Sequence, residues 1–112
     1  MNRKPSGRQY INYAFYKLSS NWYELSKNKR KNISQKLFNI LEDYEKKLIL
    51  NLYSTLGIRA ECDFMIWRVS EKLELFERMT YEIMNSGLGP YITLNHSFLS
   101  MTKHSQYVSK NK

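Results

Sequence analysis

The chain has 112 residues and carries 18 basic against 10 acidic side chains, a net charge of +8 at neutral pH. Apolar residues make up 42% and charged residues 25%, which suits one globular domain and excludes a disordered tail protein, a fibrous repeat and a disulfide scaffold. A domain of this size buries roughly two thirds of its unfolded surface, enough for one core without metals or cross-links.

Six of the basic residues lie near the ends: Arg3, Lys4, Arg8, Lys103, Lys110 and Lys112. Residues 9–102 keep twelve basic against ten acidic side chains, so the excess charge belongs mainly to the tails. Residues 1–8, with Pro5 and Gly7, read as a basic flexible arm, and 109–112 as a basic tail. Such tails hold nucleic acid or anionic lipid in some proteins and are plain solvated termini in most.

Tyr10 to Tyr16 is rich in aromatic and strand-favouring residues and predicts the first strand. Alternation puts Ile11, Tyr13 and Phe15 on one face and Tyr10, Asn12, Ala14 and Tyr16 on the other. Ser19-Ser20-Asn21 with Glu24 predicts a helix start, Asn21 and Glu24 having the spacing of cap and third helical residue. Ile33, Leu37, Ile40, Leu41, Tyr44 and Leu48 recur at helical steps and carry that helix to about residue 47. Lys27, Lys29, Arg30 and Lys31 fall near its solvent side.

Leu48 to Leu56 changes to period two, with Leu48, Leu50 and Leu52 on one face, and predicts a second strand. Gly57 supplies a turn, and Ala60 to Arg68 predicts a third strand. There Cys62, Phe64 and Ile66 lie opposite Glu61, Asp63, Met65 and Trp67. Ser70 is placed to cap a second helix, whose inner stripe is Leu73, Phe76, Met79, Thr80 and Ile83. Gly87-Leu88-Gly89-Pro90 ends it, and Phe98 to Thr102 predicts the fourth strand.

The order β-α-β-β-α-β, with both crossovers folding onto one antiparallel sheet, predicts an α+β ferredoxin-like sandwich. Two helices on one face leave the other face of the sheet open. Tyr10, Tyr16, Met65 and Trp67 are the sequence's candidates for that face, and a patch of this kind calls for a cover. RNA bases are one cover, but the third strand lacks the glycines of an RNA-recognition motif and carries Glu61 and Asp63 where phosphates pass. A nucleic-acid partner for the sheet is therefore not expected.

Independent catalytic patterns are weak. The single cysteine, Cys62, excludes an internal disulfide and a cysteine zinc site, and its apolar surroundings suit a buried, inert thiol. The sequence contains no Gly-rich phosphate loop, no His-x-x-x-His spacing and no nucleophile elbow. Glu42, Asp43 and Glu45 neighbour Lys46 and Lys47 and read as a solvated helix end rather than an acid–base pair. No apolar run approaches the ~18 residues of a membrane span, so the expected setting is the cytoplasm.

From Gly57 the run Gly57-Ile58-Arg59-Ala60-Glu61-Cys62-Asp63-Phe64-Met65-Ile66-Trp67-Arg68 resembles the chlorite dismutase family, which includes the coproheme decarboxylases. The likeness continues through Leu73, Gly89-Pro90-Tyr91, Ser97-Phe98-Leu99-Ser100 and Ser105-Gln106-Tyr107-Val108. Tyr13-Ala14-Phe15-Tyr16-Lys17 with Trp22 is similar to that family's opening, so the resemblance covers one domain over residues 9–108.

The resemblance implies two ferredoxin-like halves with sheets facing, as in a dimeric α+β barrel, assembled into rings, and haem or coproheme in the second half. This chain is similar to the first half. The family's haem-ligating histidine belongs to the second half, and its pseudo-repeat position here falls near Lys36 and Leu37. Neither supplies a lone pair to iron: Lys36 is protonated at neutral pH and Leu37 has none. Tyr13 falls where the second half of coproheme decarboxylases places a redox tyrosine, and the only histidines are His96 and His104.

The expectation is thus a half-domain that closes its open face against a second copy, as dimer or ring, or against a separate C-terminal-type half. Haem-dependent oxidoreductase chemistry is what the family implies, and the missing ligand half argues against catalysis by this chain alone. No catalytic or metal-binding residue is assigned. A haem- or coproheme-binding oligomer acting through His96, His104 or a tyrosine is the enzymatic alternative. Nucleic-acid binding through the basic tails is a third reading.

Overall fold

A computed structural model describes residues 8–103. The elements are β1 (Arg8–Leu18), α1 (Lys27–Tyr44), β2 (Ile49–Ser54), β3 (Phe64–Ser70), α2 (Leu73–Met84) and β4 (Ile92–Lys103). Single 3-10 turns at Ser20–Trp22 and Gly89–Tyr91 precede α1 and β4. The four strands form one antiparallel sheet in the order β2-β3-β1-β4. This is the ferredoxin-like α+β arrangement that the order of elements predicts. Arg8 is the first residue of β1, while the rest of the expected arm, the tail and His104 lie outside the described residues.

The core lies between the sheet and the two helices. Ala14, Tyr16, Leu50 and Ile66 face Leu37, Leu41 and Tyr44 of α1 and Phe76, Met79 and Ile83 of α2, all at most 7% exposed. Burying such side chains is worth about 1.5–3 kcal/mol each relative to leaving them in water. Tyr16 and Phe64 stack at 5.1 Å between ring centroids. Across the helix layer, Tyr44 donates its hydroxyl to Glu82 Oε2 at 2.7 Å.

Several local expectations change. Ser70 does not cap α2, which starts after Lys72; its hydroxyl accepts from the Lys72 amide at 2.9 Å. The first helix begins after Ser26, whose side chain accepts from the Lys29 amide at 3.1 Å, and not at Asn21. The 3-10 turn before it is held by Ser19 N–H donating to Tyr91 O at 2.8 Å, with buried Trp22 edge-on to Tyr91. The helix ends at Tyr44, short of 47.

The third strand begins at Phe64 rather than Ala60. Cys62 is still fully buried, but in the loop, where its sulfur lies 3.2 Å from Thr55 Oγ1. That loop is anchored by Asp63, which accepts from the Leu18 amide at 2.7 Å and lies 3.9 Å from Lys17 Nζ. Gly57 turns it with φ of +79°, a conformation open to glycine at no steric cost.

The fourth strand is longer than predicted, because a bulge at Asn95 splits it. Phe15 pairs with His96 and Tyr16 with Leu94, leaving Asn95 extra. Its side chain donates to Glu61 O at 2.6 Å. An odd residue inside a strand breaks the alternation by which such strands are read.

Candidate functional site: the open sheet face

Strand pleating and the pairing register align the open-face side chains in three rows across the sheet. One row runs Tyr53, Met65, Phe15, His96; the next Asn51, Trp67, Tyr13, Phe98; the third Ile49, Val69, Ile11, Ser100. Cross-strand neighbours of this kind stand close enough to pack on one another. Two thirds of each row or more is apolar or aromatic, and no helix covers any of it.

Exposure follows from that. Tyr13, Ile49, Tyr53 and Phe98 are 38%, 54%, 49% and 57% exposed, while Met65, Trp67, Phe15 and Ile11 half-shelter one another. Phe15 and Phe98 meet edge to face at 6.0 Å, and His96 stacks on Phe98 at 6.1 Å. Arg59 reaches from the β2–β3 loop and stands over the Phe15 ring at 5.3 Å. Its guanidinium also pairs with Glu61, leaving that carboxyl below its ordinary pKa; the Glu61 backbone amide is the larger cause.

The two faces of β1 are the reverse of the sequence assignment. Tyr16 is fully buried beneath the helices and Tyr10 is half-buried on the same side, whereas Ile11, Tyr13 and Phe15 face outward beside Met65 and Trp67. Alternation sorts residues into two sets without saying which set points inward. In the structure Asn12 is only 5% exposed, because Arg68 donates to its Oδ1 and its Nδ2 donates to Phe98 O at 3.0 Å.

The residues singled out for chemistry do not converge. Leu37 is buried in the core and Lys36, its neighbour on α1, is exposed. Tyr13 and His96 share the open face, one row apart. Glu42, Asp43 and Glu45 are all exposed, as a solvated helix end requires. Among the described residues, no group of three or more His, Cys, Asp or Glu side chains is placed to hold a metal ion. No helix among the described residues is long and apolar enough to cross a membrane.

The residues present do not fit an iron porphyrin at the position the pseudo-repeat indicates. Leu37 lines an apolar cavity of about 170 Å³ with Leu18, Trp22, Phe38, Leu52 and Leu88. That is below the roughly 300 Å³ at which ligand sites begin, and its lining holds no imidazole, thiolate or carboxylate to bind iron.

The model of the family described as chlorite dismutase matches residues 30–112. The chlorite dismutase of Ideonella dechloratans is 21% identical over 103 residues, which are 92% of this chain and 36% of that protein. A variant of chlorite dismutase from Candidatus Nitrospira defluvii superposes with a TM-score of 0.82 at 18% identity, over 95% of this chain and 44% of that one. The same enzyme in complex with imidazole gives a TM-score of 0.81 at 19% identity, over 91% and 43%. This chain therefore spans less than half the length of the relatives it matches. It belongs to the chlorite dismutase family.

Proposed function

We propose that this chain serves as one ferredoxin-like half of an assembly in which the open sheet face is closed by a second sheet. In isolation the second sheet is that of another copy, giving a two-fold α+β barrel or a ring of such pairs. In a mixed assembly it is a separate half. The observation that carries this reading is the set of three apolar cross-strand rows on the face that neither helix covers. Exposed patches of this kind mark interaction surfaces in soluble proteins.

Haem-dependent oxidoreductase chemistry belongs, on this reading, to a half that carries the ligating histidine, with the present chain acting as scaffold. Here Leu37 takes the corresponding place as a core residue. Sedimentation velocity at micromolar concentration tests the pairing of copies: a concentration-dependent dimer or larger ring supports it, and a stable monomer refutes it.

A further inference from the structure

The helix side of the sheet is covered unevenly. α2 packs over β3, while β4 stands at the sheet edge with Leu94, Leu99 and Met101 still 42%, 55% and 53% exposed on that side. Between α2 and β4 runs a groove of about 570 Å³, well within the size of small-molecule sites. Leu73, Phe76 and Tyr81 form one wall and Leu94 and Leu99 the other. The remaining lining is polar: Arg68 and Asn12, only 4% and 5% exposed, with Thr80, Ser97 and the exposed Glu77.

The hydrogen-bond inventory there is one-sided. Arg68 Nε and Nη2 both donate to Asn12 Oδ1, and Nη1 donates to Phe76 O at 3.1 Å and Thr80 Oγ1 at 3.0 Å. A guanidinium has five N–H bonds, so one Nη2 hydrogen is left over. Asn12 Nδ2 spends one hydrogen on Phe98 O and the other on Ser97 Oγ at 3.2 Å. Thr80 and Ser97 thus act as acceptors; Ser97 keeps its own O–H to give, while that of Thr80 is directed to the buried Tyr16 oxygen.

Two donor hydrogens remain, one on Arg68 Nη2 and one on Ser97 Oγ, and the acceptor left in the lining is the exposed Glu77 carboxylate. Every partner of Arg68 is neutral, its charge being offset only by these dipoles and by the Phe76 ring 5.0 Å away. A buried guanidinium stays charged, and leaving such a charge without a counter-ion is costly. Glu77, exposed in the same lining, repels any anion and a dianion more than a monoanion, so a single carboxylate is the charge best suited to Arg68.

We propose that the groove between α2 and β4 binds a small amphipathic monocarboxylate. Its carboxylate accepts from Arg68 and Ser97, and its aliphatic body lies between Leu73 and the Leu94–Leu99 wall. The site is on the opposite side of the sheet from the open face and is independent of pairing.

The full chain is titrated with sodium octanoate and, separately, with 1-octanol, following amide shifts by NMR. Octanoate is expected to saturate with shifts centred on Thr80, Ser97 and Leu99, and octanol to bind at least tenfold more weakly. Arg68→Met, which keeps the stem and removes the charge, should abolish that preference. Leu99→Glu, at an exposed rim position where folding is not at stake, should weaken octanoate at least tenfold. Equal affinity for the two probes, shifts centred on Tyr13 and Trp67, or unchanged affinity in Leu99→Glu would each overturn the proposal.

Discussion

Phe98 and Leu99 are adjacent on β4 and almost equally exposed, at 57% and 55%, yet the pleat sends them to opposite faces of the sheet. Phe98 stands in the row with Trp67 and Tyr13; Leu99 lies over Asn12 on the helix side. Full burial of a phenylalanine is worth roughly 1.5–3 kcal/mol, so covering its exposed share gains about 1–2 kcal/mol per copy. A two-fold pairing contains the residue twice. Phe98→Ala should therefore cost about 2–3 kcal/mol of association, or roughly 30- to 150-fold in Kd at 1.4 kcal/mol per decade. Leu99→Ala should change Kd less than about threefold, the usual scatter for a surface change. Sedimentation equilibrium of the three proteins measures the difference, with thermal melts showing that neither exposed substitution unfolds the monomer. A Leu99→Ala effect equal to or larger than that of Phe98→Ala would refute the assignment of faces and with it the proposed interface.

Haem titrated into the purified chain should give no saturable one-to-one Soret change. Leu37→His should cost about 1–3 kcal/mol in urea denaturation, because it buries an imidazole without a partner. A saturable Soret change lost in His96→Ala would instead place a ligand on the open face. Gly57→Ala should cost about 1–2 kcal/mol, since φ is +79° but no atom lies within 4 Å of an added Cβ. Gly89→Ala should cost more in the same assay, because its Cβ would meet the Met84 carbonyl oxygen at 2.0 Å; equal costs would contradict that packing. Burial and the Glu82 carboxylate push Tyr44 up to about 12. The folded state then holds the phenolic proton more tightly than the unfolded chain, so this stabilisation is complete below about pH 10 and is lost as pH rises through 12. Melting temperatures from pH 9 to 12 should fall less steeply in Tyr44→Phe than in the natural chain.

Much of this fold was readable from local pattern. The change from helical to alternating spacing near Leu48 places the start of β2, though not the end of α1, because each secondary structure buries one face at its own period. The likeness of Gly57–Arg68 and later segments to the chlorite dismutase family was also visible, since it rests on the order of residues alone. Boundaries were less certain: α1 is capped by Ser26 because the preceding turn is tied to Tyr91, a residue far along the chain. Asn95 hid half of β4, since a bulge is defined by what the partner strand does opposite it.

Which face of β1 is buried was decided only by tertiary contacts. Asn12 becomes an inner residue once Arg68 donates to it from β3 and Phe98 accepts from it on β4. The groove beside α2 has the same origin. Asn12, Arg68, Thr80 and Ser97 span 85 positions, and no spacing rule links them, because a strand, a central neighbour, a helix and an edge strand each contribute one. The chain's own order determined the elements, since burial period is a local property. Only the packed sheet determined which side would be dry and where a cation would be left facing a groove, since those depend on neighbours brought together from distant segments.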